Sequence, residues 1–73
     1  MVGGRSYSKD FELEADQLGT VITYYAGYNP LVGAQFFAHI PDPGDRFLGT
    51  HPPNAARLAT VRRTSAQLGV PGS

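Results

Sequence analysis

SYSKDFELEADQLG, residues 6–19, is the stretch whose reading decides how this chain folds. Helical periodicity and a dense set of carboxylates coincide only here. Glu12 and Asp16 stand four residues apart, so on a helix they stack one turn above the other on one face. Phe11, Ala15, Leu18, Ile22 and Tyr25 follow a 4-3-4-3 spacing, which predicts a buried stripe alongside that pair. A helix that packs on one side and aligns two carboxylates on the adjoining side suits metal or proton chemistry. The same pattern suits a solvated face, with Asp10, Glu12, Glu14 and Asp16 all wet. The rest of the chain has to decide between the two.

Outward from that stretch, the punctuation predicts three helices and an all-α fold. The first runs from about Lys9 to Ala26, with Ser8 as N-cap and Asp10 and Glu12 where the helix dipole favours negative charge. Gly19 sits inside it at a cost of about 1 kcal/mol relative to Ala, which predicts a close approach by another group. Gly27 supplies a left-handed exit. Asn29-Pro30 opens the second helix, Pro30 to His39, whose apolar residues (Leu31, Val32, Phe36 and Phe37 among them) surround more than one face. Pro41-Asp42-Pro43-Gly44-Asp45 ends it, and residues 41–53 read as a loop long enough to carry function. The third helix spans Asn54 to Leu68, with Leu58, Val61, Ser65 and Leu68 as its inner face and Gly69 and Pro71 as its stop. Met1-Val2-Gly3-Gly4 reads as a loop.

Composition narrows the function classes. Seventy-three residues make one domain at most, near the size at which a core holds without staples. No cysteine is present, so disulfides and thiolate metal sites are excluded. Six basic residues balance six acidic ones, which argues against a nucleic-acid partner or a polybasic membrane anchor. No apolar run approaches the roughly 18 residues of a membrane span, and the opening carries no signal-peptide core.

A second constellation, Thr50-His51-Pro52-Pro53-Asn54-Ala55-Ala56-Arg57, places a histidine before a rigid turn and an arginine on the helix that follows. The pair suits one pocket and an oxyanion; a Pro-stiffened loop with a surface Arg accounts for it equally. His39, at a helix end, reads as a capping or surface residue. Arg62-Arg63 reads as a solvated basic face and not a recognition helix.

Taken in order, SYSKDFELEADQLG, AGYNP (26–30) and THPPNAAR (50–57) resemble the C-terminal part of the catalytic domain of metallopeptidase family forty-eight. These zinc proteases include the HtpX heat-shock proteases, the integral-membrane CAAX prenyl protease and periplasmic chaperone-proteases of bacteria. The resemblance runs from Ser6 to about Leu68. It implies that residues 1–73 form a single partial domain, an all-α fragment of a gluzincin-type peptidase. The family's third zinc ligand, the Glu of E-x-x-x-D, falls on Glu12 and not on Glu14. Its Asp, which orients a zinc-binding histidine, falls on Asp16. The histidine of the H-P motif falls on His51, and the arginine six residues later on Arg57; both are implied catalytic contacts, His51 touching the transition state or plugging the metal. Gly19 matches a small residue that lets helices pack closely.

One departure matters for activity. The family's H-E-x-x-H, which supplies two ligands and the general base, is absent: His39 precedes Ile40, and no histidine lies four residues from His39 or His51. A catalytic zinc takes three protein ligands and an open position. The resemblance therefore implies a fragment, inactive and weak or empty of zinc by itself, whose partner is an upstream H-E-x-x-H segment and whose parent acts on polypeptides. In that parent, zinc lowers the pKa of its water to about 7, the missing glutamate takes the proton, and His51 or Arg57 holds the oxyanion. The location is open; the resemblance is compatible with a parent in the bacterial cell envelope, in the periplasm or at the membrane. A free-standing helical interaction module without catalysis is the competing expectation. An exposed apolar patch, and self-association through it, is expected of the excised piece.

Overall fold

Three long helices and one short helical turn emerge in the computed structural model, which describes residues 9–42, 44–48 and 51–72. They are α1 (Lys9–Tyr25), α2 (Pro30–His39), α3 (Asp45–Leu48) and α4 (Asn54–Leu68), with no strand among the described residues. The all-α expectation holds, and the three predicted helices match to within a residue. The short α3 corrects the structureless loop expected over 41–53. It follows Gly44 at φ +133°, and Leu48 N–H reaches the Gly44 carbonyl at 3.0 Å. A single turn is too short to leave a periodic signature. The expected N-cap Ser8 and the loop Met1–Gly4 lie outside the described residues.

The helix ends are closed by the residues that punctuate the sequence. At the end of α1, Gly27 takes φ +94°, Gly27 N–H reaches the Tyr24 carbonyl at 3.0 Å, and Tyr28 N–H reaches Thr23 at 3.1 Å. That pairing is the Schellman motif. It recurs after α4: Gly69 lies at φ 85°, Gly69 N–H donates to Ala66 at 3.1 Å, and Val70 N–H to Ser65 at 2.9 Å. Asn29 caps α2, its Oδ1 accepting from Leu31 N–H at 2.9 Å. The start of α4 is held from across the loop: Asp42 Oδ1 accepts from Asn54 N–H at 2.8 Å, and Asn54 Nδ2 donates to the Ile40 carbonyl at 2.7 Å.

α1 and α2 both pack on α4 and scarcely touch each other. The result is one layer of helices, with Cα extents of 34 × 32 × 16 Å. Its core is small. Among the described residues, Ala34, Val61 and Val70 are buried aliphatic side chains, joined by Thr20, Thr60, Thr64 and Ser65. Thr20 Oγ1 donates to the Asp16 carbonyl at 2.6 Å and Thr60 Oγ1 to Ala56 at 3.1 Å, one turn back in each case. On α4, Val61 and Ser65 face inward as predicted, with Leu58 and Leu68 half-buried.

The predicted buried stripe of α1 points the other way. Leu18 is 60% exposed, Ile22 59% and Tyr25 75%; Ala15 is exposed and Phe11 only half-buried. The face turned to α4 carries Glu12, Asp16, Thr20 and Thr23 instead. The reason lies on α4 and the loop before it. Burying a carboxylate is costly unless it is paired, and His51 and Arg57 supply partners for both. In a single layer α1 has one neighbour to pack on, so satisfying those charges leaves the hydrocarbon stripe outside. α2 likewise exposes Val32, Phe36 and Ile40.

Gly19 is also corrected. A Cβ built there meets nothing within 4 Å, so no group approaches it closely. α1 and α2 diverge at this level and leave a groove. Gly19→Ala should therefore stabilise the isolated chain, by about 0.5–1 kcal/mol through helix propensity and a less flexible unfolded state. Urea denaturation followed by circular dichroism measures it, and a lower midpoint for the variant would show that the site is crowded after all.

Candidate metal-ligand site

The site is assembled from two short spacings in the sequence. On α1, Glu12 and Asp16 lie one helical turn apart and look toward α4. Opposite them, His51 stands in the loop before α4 and Arg57 on its first turns. Pro52, fully buried, fixes the loop between them. The two spacings meet pair on pair.

His51 Nδ1 donates to Glu12 Oε2. Both side chains stay partly open, 41% and 32% exposed. One turn along, Arg57 Nε donates to Asp16 Oδ2 and Nη2 to Oδ1, each at 2.8 Å. This two-pronged fit is the one a planar guanidinium makes with a carboxylate. The Asp16 side chain is 12% exposed, so the pair is largely shielded. The Arg57 pKa is raised, first by the hydrogen bonds to Asp16, with the charges of Asp16 and Glu12 adding and burial opposing. Its guanidinium carbon also lies 4.6 Å from the centre of the Phe37 ring on α2, a cation–π contact. Arg57 thus touches all three long helices.

Beside this cluster opens the groove between α1 and α2, about 250 Å³, with Val61 of α4 on its lining. Ala15 and Gly19 line one wall, Gly33 and Ala34 the other. Gly33, like Gly19, has nothing within 4 Å of where its Cβ would be. Asp16 and Phe37 also border it.

All four residues singled out in the sequence therefore lie in one cluster, Glu12 with His51 and Asp16 with Arg57. Thr50 falls outside the described residues. Arg62 and Arg63 are exposed, as a solvated face requires, and His39 is exposed at the end of α2. Two participants carried no signal of their own. Phe37 is one of several apolar residues in α2, and nothing in the order of residues ties it to Arg57. Asp42 lies in a turn whose Pro and Gly explain its presence without a cap. Among the described residues, no group of three His, Cys, Asp or Glu side chains is placed to hold a metal ion.

Comparison with known proteins adds one match. The family model described as Peptidase family M48 covers residues 1–65. No curated protein and no solved structure matches the chain.

Proposed function

The chain belongs to peptidase family M48, and we propose that it provides the third zinc ligand of a metalloendopeptidase, with Glu12 as that ligand. The observation that carries this reading is the pairing of the cluster: Glu12 is oriented by His51, and Asp16 one turn away is clamped by Arg57. A solvated carboxylate face would not hold Asp16 at 12% exposure under a two-pronged arginine.

The residues present fit a share of a zinc site and not a whole one. Glu12 and His51 offer two donors at most, where a catalytic zinc takes three protein ligands. The remaining ligands, in this reading, come from an H-E-x-x-H helix seated in the α1–α2 groove. Packed helices lie about 8–10 Å apart, closest where residues are small, and Gly19 and Gly33 give the groove bare backbone on both walls. When bound, zinc supplies an activated water and a Lewis acid for peptide hydrolysis. This chain's residues do the placing. Glu12 offers its carboxylate, Asp16 holds a histidine of the incoming helix, and His51 contacts the oxyanion of the polypeptide substrate. Arg57 commits two of its N–H groups to Asp16 and lends the others to the same oxyanion. Alone, the chain is inactive and binds zinc weakly.

Zinc titration of the chain, alone and mixed with a peptide bearing an H-E-x-x-H helix, tests the reading. Tight binding in the mixture only, lost in Glu12→Gln, is the expected result. Micromolar binding by the chain alone would overturn the shared site, and indifference to Glu12→Gln would overturn the ligand. Without its partner, the chain covers Leu18, Ile22, Val32 and Phe36 by pairing with a second copy. Light scattering should show this dimer at high concentration; a strict monomer that binds no hydrophobic dye contradicts it. The same exposed residues favour a second reading, a helical interaction module without catalysis, in which Glu12→Gln changes no binding property.

A further inference from the structure

The far end of α1 carries a second site that the zinc reading does not use. Tyr24, Tyr25 and Tyr28, with Pro30, Val70 and Pro71, line an open cleft of about 570 Å³. From Glu12 it lies some twelve residues along the helix, or about 18 Å at the α-helical rise. The Tyr24 and Tyr25 rings pack edge to face, with centroids 5.2 Å apart at 81°. Tyr25 and Tyr28 are 75% and 72% exposed, a large aromatic surface left to water.

Electrostatics says what such a surface attracts. Among the described residues, none that lines the cleft carries a charge. α1 and α4 both end at it, through Gly27 and Gly69, and neither has a basic residue in its last turn. Helix C-termini carry partial negative charge, relieved here only in part by the Schellman pairing, which engages two carbonyls at each end. α2 begins there as well, but Pro30 has no N–H and Asn29 takes the Leu31 N–H, which blunts its positive end. Tyrosine ring faces are themselves negative. The balance favours a cation. A lysine ammonium is strongly hydrated and costly to strip of water unless a carboxylate compensates, and none of the described residues that line the cleft has one. A quaternary ammonium is weakly hydrated and is the cation that aromatic cages hold best.

We propose that the Tyr24–Tyr25–Tyr28 cleft binds a quaternary ammonium group of the choline type. The test is a heteronuclear NMR titration of the 73-residue chain with choline and, separately, with dimethylbutanol, its uncharged carbon isostere. Choline should shift the amides of Gly27, Tyr28 and Gly69, and the alcohol should bind about tenfold more weakly, or about 1.4 kcal/mol. Tyr25→Phe and Tyr28→Phe should keep the response, because the ring face does the binding. Tyr25→Leu and Tyr28→Leu should lose it, and both positions are exposed enough for the fold to survive. Phosphatidylcholine and phosphatidylglycerol bicelles form a further arm. Shifts with free choline identify a soluble ligand; shifts with phosphatidylcholine bicelles alone identify a lipid headgroup. Equal affinity for the alcohol, an unchanged response in the Leu variants, or no response to either choline source overturns the proposal.

Discussion

Arg57→Ala is expected to remove about half or more of the chain's folding stability. The substitution removes both hydrogen bonds to Asp16 at 2.8 Å and the contact with Phe37, which together tie α4 to α1 and α2. It also strands a carboxylate that is only 12% exposed. Removing one partner of a fully buried pair costs about 3–5 kcal/mol; with Arg57 28% exposed, about 2–3 kcal/mol is the fitting figure. A domain of this size holds roughly 3–5 kcal/mol in all. Arg57→Lys keeps the charge but loses the planar fork and should cost about half as much. Urea melts followed by circular dichroism rank the three proteins, and an Arg57→Ala midpoint equal to that of the parent chain would show the clamp to be ornamental. The sign of the pH dependence is simple. A raised guanidinium pKa means that its stabilisation is complete below the ordinary arginine value and is lost only as pH rises through the raised one. Across the working range, then, no alkaline loss of stability arises from Arg57.

Glu12→Gln should do the opposite: little to the fold and a great deal to the metal. The amide oxygen still accepts from His51, and the position is one-third exposed, so stability should move by no more than about 0.5 kcal/mol. An amide is a poor zinc ligand beside a carboxylate. Loss of the partners that merely orient zinc ligands costs 10–100-fold in affinity. Loss of a ligand itself should cost at least about 100-fold, or about 2.7 kcal/mol. The readout is zinc affinity of the chain assembled with the H-E-x-x-H helix, with the melt as control. A variant that melts normally and binds zinc normally would remove Glu12 from the metal site while leaving the family assignment intact.

These two side chains also mark how far the sequence can be read without the fold. The bounds of α2 and α4 were legible because local chemistry writes them: Asn29-Pro30 opens one, Gly69-Val70-Pro71 closes the other. The face that α1 presents was not legible. Its spacing advertises Leu18, Ile22 and Tyr25 as core, and the opposite outcome is decided by Arg57, 41 residues away. Periodicity weighs hydrocarbon against water and has no account of an ion pair not yet located. The same holds for the cluster. Glu12, Asp16, His51 and Arg57 each stood out by residue type and spacing. Which acid meets which base depends on how α1 lies against α4. Gly19 misled for a related reason: a helical glycine signals close approach only when a neighbour is present, and here the neighbouring space is a groove.

The layered arrangement bears on how the chain is made. α1 and α2 follow one another in sequence yet hardly touch, and each finds its native neighbour only in α4. Within this sequence, both helices are synthesised before the α4 on which they dock. Asp16 of α1 meanwhile waits for an arginine 41 residues downstream. Nascent α1 thus lacks its contacts with α4 until translation has passed Arg57, and its Leu18-Ile22-Tyr25 stripe is exposed before folding and after it. A nascent chain halted short of that residue would lack the one element of this sequence on which α1 and α2 pack, and the apolar faces of both helices would make it a natural client for chaperones that hold apolar helices.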